Sequence, residues 1–350
     1  MGIRVVSWGK GPRGHGAAWA PPAKKGVIMC TGVRFTSAEG GMFFGRNLDW
    51  SCGYGERVRI MPKGFPASYQ FLDDAPAAHA AIGMCVDYNN YPMFFDCGND
   101  AGLAVAGLNF PGYAAYADAP EQGRTNVCAY EFPLWVAASF SSVDEVQAAL
   151  ANVTIVGASA GEGLGVSYLH WIIGDATRSI VVESRADGMH VLDDPVDVLT
   201  NQPSLEWHLE NLRGYITATN DFPATATWRA ADLAPFGAGA GMRGIPGDCY
   251  SPSRFVKAAY LNANYPEKSG EHDNVIRMLR TLEGVAMVEG AARMGNGDFE
   301  KTLYTSCFSA KTGTYYYTTY DDPAIRHVSL ADAAGAPADK LVCPEPGRDW

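Results

Sequence analysis

Cys30 stands directly after a methionine, in Met29-Cys30-Thr31-Gly32, and two opposite charges follow in Arg46-Asn47-Leu48-Asp49. A small residue behind Met29 allows that methionine to be removed as an initiator, which would leave Cys30 as the amino terminus. One residue would then carry both a nucleophilic thiol and an α-amine. With a reference pKa of about 7.7–8.0, that amine takes the thiol proton near neutral pH. The dipeptide by itself is equally a small buried cysteine with no chemistry, the commoner fate of a free thiol. Arg46 and Asp49 by themselves make a surface ion pair of little worth. Set against a buried terminus, Asp49 would bind and orient the α-amine, and Arg46 would favour the thiolate, because a nearby cation lowers a cysteine pKa.

The surrounding elements would have to hold these groups. Cys30–Thr36 and Met42–Asn47 are short and β-compatible, and Glu56–Met61 alternates charged and apolar residues. A nucleophile at the start of a strand is held firmly by the ladder. Further strands are expected at Ala80–Val86, Pro92–Phe95, Leu103–Asn109, Tyr168–Gly174, Ser179–Ser184, Gly188–Leu192, Val196–Thr200, Lys301–Ser309 and Thr314–Tyr320. Residues 126–151 read as helical, with Ser141-Ser142-Val143-Asp144-Glu145 as a cap. Leu205–Leu212, about Ser253–Ala263 and Asp273–Val288 supply the other helices. Strands in two groups with helices between them give an α+β layered pattern, not a βαβ repeat. The segment after Ala331 is rich in Pro and Ala and reads as a mobile tail.

Composition limits the function classes. The 350 residues suit one domain, and 47% hydrophobic with 19% charged residues is a globular balance. No apolar run reaches the length of about 18 residues that a membrane helix needs, so no membrane insertion is expected. The net charge is −11. Residues 1–29 contain five basic and no acidic residues, so the rest holds 22 basic against 38 acidic, a net of −16. An acidic body argues against nucleic acid and requires a local cation for any anionic substrate. The eight cysteines form no C-x-x-C pair and no cluster with zinc spacing, which fits a reducing cytoplasm. Residues 1–29 lack the apolar core of a secretory signal. They read as sequence upstream of the true start, as a propeptide removed to expose Cys30, or as a retained tail that would block the α-amine. Residues 30–350 then form a single catalytic domain.

The run Cys30-Thr31-Gly32-Val33-Arg34-Phe35 with Phe43-Phe44-Gly45-Arg46-Asn47-Leu48-Asp49-Trp50 resembles the opening of the choloylglycine hydrolase family. That family includes bile salt hydrolases and penicillin V acylases. The likeness continues through Gly102–Gly112, Val198-Leu199-Thr200-Asn201-Gln202-Pro203, Gly244-Ile245-Pro246-Gly247-Asp248, Ser253-Arg254-Phe255-Val256, Tyr304-Thr305-Ser306-Cys307 and Tyr315–Tyr320, in the family's order and near its spacing.

The resemblance implies an N-terminal nucleophile (Ntn) hydrolase fold, a four-layer αββα sandwich of two antiparallel sheets between helix layers. It implies cleavage of the amide of glycine- or taurine-conjugated bile acids through a thioester on Cys30. It further implies Arg46, Asp49, Asn109, Asn201 and Arg254 at the catalytic centre, with no metal or organic cofactor and a homo-oligomer, commonly a tetramer. Asn109 and Asn201 would contribute to the oxyanion hole. Alone, they read as a turn asparagine and a helix N-cap. Trp50, Phe65, Met84 and Phe110 are candidate walls of a steroid pocket, and equally candidates for core. Gly237-Ala238-Gly239 occupy a loop that borders the pocket in bile salt hydrolases. They lack the Ser-Arg of many glycine-preferring members, which points toward taurine conjugates. Asn109 stands where penicillin V acylases have Tyr. Penicillin V acylase and aminoacyl transferase activity are the alternatives within the family, and a non-catalytic binding protein is the alternative outside it.

Overall fold

A computed structural model describes residues 29–88, 90–161 and 165–348. The readings made for residues 1–28 lie outside the described residues. In chain order come β1 (Met29–Thr36), β2 (Met42–Trp50), β3 (Arg57–Met61), β4 (Ala81–Tyr88), β5 (Tyr91–Asn99), β6 (Ala104–Asn109) and β7 (Thr125–Cys128). Helices α1 (Phe132–Ser139) and α2 (Val143–Leu150) precede β8 (Val153–Val156), β9 (Leu169–Gly174), β10 (Ser179–Arg185), β11 (Gly188–Asp193) and β12 (Val198–Leu199). Then follow α3 (Leu205–Leu212), α4 (Ser251–Asn264), α5 (Glu271–Glu283), β13 (Phe299–Ser309), β14 (Thr314–Thr319) and β15 (Arg326–Ser329).

One sheet has the order β12-β1-β2-β13-β14-β15, with Ala292–Arg293 added to β13; the other has the order β11-β10-β9-β6-β5-β4-β3. Neighbouring strands within both are antiparallel. Helices α4 and α5 cover the first sheet, α1 covers the second, and β1 and β2 face β6 and β5 across the middle. This is the expected four-layer αββα sandwich.

All nine residues of β2 are buried because the strand is central in a sheet covered on both faces. Gly45 permits this packing: a Cβ there would stand 2.2 Å from the Ser306 carbonyl oxygen and 2.8 Å from Met278 Cγ. The β1–β2 register pairs Cys30 with Leu48 and Gly32 with Arg46. Because side chains alternate along a strand, Cys30 shares the inter-sheet face with Arg46 and Leu48. Asn47 and Asp49 turn to the helix side, where Asn47 Nδ2 donates to the Leu282 carbonyl of α5 at 2.8 Å. Arg46 and Asp49, three apart, therefore approach the Cys30 residue from opposite faces of one strand.

Three sequence expectations change. Residues 126–128, expected as helix, belong to a strand: Thr125, Val127, Val153 and Ile155 give β7 and β8 a short parallel pair. Four residues are too few for periodicity to separate helix from strand, and α1 starts only at Phe132, with proline in its first turn. The strand expected at Val196–Thr200 shrinks to two residues, pinned by the Asp194 carboxyl, which accepts the Val196 and Val198 N–H groups at 3.1 and 2.8 Å. The tail after Ala331 is docked: Val342 bridges Ile60 on the edge strand β3, and Gly347 bridges His327 on the edge strand β15. Both contacts cover open sheet edges.

Candidate active site

Cys30 is buried, 1% exposed, at the start of β1. Its sulfur accepts a hydrogen bond from Arg46 Nη2 at 2.6 Å. The rest of the Arg46 guanidinium is committed to carbonyls: Nε to Asn47 at 3.3 Å, and Nη1 to Phe95 at 3.1 Å and Gly107 at 2.8 Å. The last two belong to the opposite sheet, so Arg46 crosses the sandwich and is fixed at both ends. Its pKa lies above the usual arginine value: burial lowers it, but Cys30, Tyr304, Asp96 and Tyr315 outweigh that.

On the other face, Arg254 in the first turn of α4 is buried and donates four times. Nη1 reaches the Cys30 carbonyl and Thr31 Oγ1, both at 2.6 Å; Nη2 reaches Asn201 Oδ1 at 2.7 Å; Nε reaches the Cys249 carbonyl at 3.0 Å. Asp49 Oδ1 accepts from Thr302 Oγ1 at 2.6 Å. Asp49 Oδ2 is buried with no hydrogen-bond partner among the described residues and lies 3.8 Å from Arg254 Nη1. Burial pushes the Asp49 carboxyl up, against Arg254, Thr302 and Arg46.

Asn201, just beyond β12, takes the Cys30 N–H on its Oδ1 at 2.8 Å and donates Nδ2 to the Asn109 carbonyl at 2.8 Å. Its backbone is clamped from two helices: its N–H donates to Ser251 Oγ of α4 at 3.0 Å, and its carbonyl is 3.0 Å from His208 Nε2 of α3. Burial depresses the His208 imidazole to about 4, so it is neutral and donates here.

The structure thus gathers Cys30, Arg46, Asp49, Asn109, Asn201 and Arg254 at one place. In the chain that keeps Met29, the Cys30 backbone nitrogen is an amide bound by Asn201. Burial pushes the Cys30 thiol up overall; Arg46 pulls it down, as expected of a nearby cation, and so does Arg254, while Asp49 adds to the upward push.

The expected pocket walls separate. Trp50 ends β2, buried and close to Asp49 in sequence. Met84 faces the inter-sheet core and lines a cavity of about 310 Å³ with Tyr304, Tyr317 and Arg326. Phe110 is fully buried and stacks on His170 with ring centroids 4.1 Å apart. Phe65 does not join them: it packs in the other core, between the second sheet and α1, because its loop leaves β3 on that outer side. Gly237, Ala238 and Gly239 are exposed, and a Cβ on either glycine would meet nothing within 4 Å.

Sequence reasoning missed Thr31, Ser251, His208, Thr302 and Glu300. Thr31 sits beside Cys30 but nothing in its type marks it, and the other four arrive from distant segments with no local motif. Glu300, 2% exposed on β13, accepts the Met29 N–H at 2.8 Å. Burial pushes its carboxyl from 4.5 to about 7, against the pull of that N–H. A carboxyl raised on folding favours the fold below about pH 4.5, and that advantage is lost as pH rises to about 7. In the chain that keeps Met29, Glu300→Gln is expected to flatten this fall, read from urea midpoints across that window. An unchanged slope would remove Glu300 as its source.

The model of the linear amide C–N hydrolases, choloylglycine hydrolase family, matches residues 30–336, and the chain belongs to that family. It is 54% identical over 305 residues to the bile salt hydrolase/transferase of Bifidobacterium longum subsp. longum, covering 87% of this chain and 96% of that one. It is 46% identical over 306 residues to the conjugated bile acid hydrolase of Lactobacillus acidophilus, covering 87% and 96%. A solved variant of the conjugated bile acid hydrolase from Clostridium perfringens matches with a TM-score of 0.85 at 33% identity, over 91% of this chain and 98% of that one. A penicillin V acylase from Agrobacterium tumefaciens shares the fold, with a TM-score of 0.67 at 16% identity.

Proposed function

We propose that this protein hydrolyses the amide bond of conjugated bile salts, with Cys30 as an N-terminal nucleophile. The observation that carries the chemistry is the Cys30 sulfur 2.6 Å from Arg46 Nη2, together with Asp49 Oδ2, which has no hydrogen-bond partner among the described residues, on the strand paired with β1. An unsatisfied buried carboxylate oxygen is costly, and an ammonium group at Cys30 would satisfy it. Removal of residues 1–29 creates that ammonium group.

In this reading the α-amine of Cys30 takes the thiol proton and the sulfur attacks the amide carbonyl. The C–N bond breaks as the same proton passes to the leaving nitrogen, giving free glycine or taurine and a thioester. Water, deprotonated by the amine, then attacks the thioester and returns the thiol. Asn201 Nδ2 and Asn109 serve the oxyanion, a role worth about 2.7–4 kcal/mol per donor. Arg254 neutralises Asp49 and holds the Cys30 carbonyl. The bile-salt assignment rests on the relatives named above. The eight free thiols fit a cytoplasmic location. The exposed Phe222, Trp228 and Phe236 fit burial in a homo-oligomer, such as the tetramer expected from the family.

The test is amine release from taurocholate, glycocholate and penicillin V by protein beginning at Cys30. Faster release from a bile salt supports the proposal, and the better of the two settles the conjugate. Preference for penicillin V would overturn it. Addition of a second amino acid to the taurocholate reaction distinguishes transfer from hydrolysis by the new conjugate formed.

A further inference from the structure

Behind Arg46 lies a buried carboxylate that this scheme leaves unused. Asp96 is on β5, 2% exposed. Its Oδ1 accepts from the Tyr304 hydroxyl at 2.6 Å; its Oδ2 accepts from the Tyr315 hydroxyl at 2.6 Å and Ser306 Oγ at 2.9 Å. Ser306 Oγ in turn accepts the Arg46 backbone N–H at 3.2 Å. The residue before Asp96, Phe95, and the residue after its cross-strand partner Ala106, Gly107, supply the two carbonyls that hold Arg46 Nη1. Burial pushes the Asp96 carboxyl up, against Arg46 and the three hydroxyls, and it is the convergence of three hydroxyl donors on one carboxyl, with Arg46 beside it, that suits an ionised, acceptor-only group. Burial and the Asp96 charge keep Tyr304 and Tyr315 protonated, pushing both phenols well up.

We infer that Asp96 is a positioning residue for the Cys30 thiolate: it draws on the Arg46 charge from behind and sets how much of that charge the sulfur receives. The inference rests on Cys30 being the nucleophile. Asp96 and Arg46 cancel each other's charge, which leaves the thiolate weakly paired, and a weakly paired thiolate is the better nucleophile. The groups facing this column are few. Asp96 meets Arg46 from β2, Tyr304 and Ser306 from β13, Tyr315 from β14, the Cys97 thiol of its own strand and the Cys85 thiol of β4. The sulfur meets Arg46 and Asp49 from β2, Arg254 from α4, Tyr304 from β13 and Tyr54.

The test follows alkylation of Cys30 by iodoacetamide against pH, read on the Cys30 peptide by mass spectrometry, in protein beginning at Cys30. In Asp96→Asn the three backbone carbonyls still hold Arg46, and its charge falls more fully on the sulfur. The alkylation midpoint should move to lower pH by about one unit. Turnover of taurocholate should fall about threefold in kcat with KM unchanged, since thiolate nucleophilicity follows its pKa with a slope of about 0.4–0.5. Asp96→Glu, which keeps the charge, should restore the midpoint. A merely structural Asp96 would lower the urea midpoint of Asp96→Asn and leave the alkylation midpoint in place; that result, or an alkaline shift, overturns the inference. If Asp96→Asn does not fold, Tyr315→Phe replaces it. Loss of one donor leaves more carboxylate charge for Arg46, so the midpoint should move to higher pH, and no movement overturns the inference. Failure of the underlying reading shows separately, as turnover surviving in Cys30→Ser.

Discussion

Cys30→Ser is expected to lower taurocholate turnover by at least about 1,000-fold, the scale on which loss of a nucleophile acts, with little change in the thermal midpoint. The two expectations separate because serine nearly matches cysteine in shape. Its hydroxyl still accepts from Arg46 Nη2, so the buried guanidinium keeps a partner where the sulfur now stands at 2.6 Å. Chemistry is lost because the hydroxyl pKa lies far above that of a thiol, and an α-amine cannot deprotonate it effectively. The chain that retains residues 1–29 should be comparably inert with its thiol intact. Its Cys30 nitrogen is an amide, spent as a donor to Asn201 Oδ1 at 2.8 Å, and has no lone pair to take a proton. Amine release measured on three proteins, beginning at Cys30, beginning at Cys30 with serine there, and retaining the upstream residues, checks both. Turnover by the full chain, with intact mass confirming that residues 1–29 remain, would sink the N-terminal mechanism.

Arg254→Met should be the most damaging change that leaves the nucleophile in place. Arg254 is 1% exposed and makes four hydrogen bonds to Cys30, Thr31, Asn201 and Cys249. It is also the cation beside the buried Asp49, at 3.8 Å. Removing one member of a buried pair strands the other, which costs about 3–5 kcal/mol. Urea unfolding should show a loss of that size. At urea-free conditions where the variant remains folded, kcat should fall at least about 100-fold, because Asn201 and the Cys30 carbonyl lose their common anchor. A variant of normal stability with normal kcat/KM would mean that Arg254 is a bystander.

The docked tail shows where local reading stops. Pro- and Ala-rich composition after Ala331 argued for mobility, yet Val342 and Gly347 each pair with an edge strand. The edges that need covering, β3 and β15, belong to different sheets, and β3 lies far from the tail in sequence. Thr125–Cys128 failed for the opposite reason: its partner Val153–Val156 is near, but four residues hold too little pattern. Phe65 read as a possible steroid wall because it is aromatic, and only the side on which its loop leaves β3 put it into the outer core.

The sequence by itself placed Cys30, the charges on β2 and the layered α+β class, which rest on residue type and strand alternation and are local; Asn109, Asn201 and Arg254 were legible as site candidates only through the likeness to the choloylglycine hydrolase family. Tertiary structure decided what those groups do to each other. Arg46 reaches the sulfur from the inter-sheet face and Asp49 lies on the helix face, since residues three apart on a strand point oppositely. In the chain that keeps Met29, Asn201 holds the Cys30 amide nitrogen, and burial wins over Arg46 at the thiol. Glu300, Thr302, His208 and Asp96 join the site from 66 to 272 residues beyond Cys30 along the chain. Charge and desolvation depend on distances in space, and no spacing along one strand carries that information.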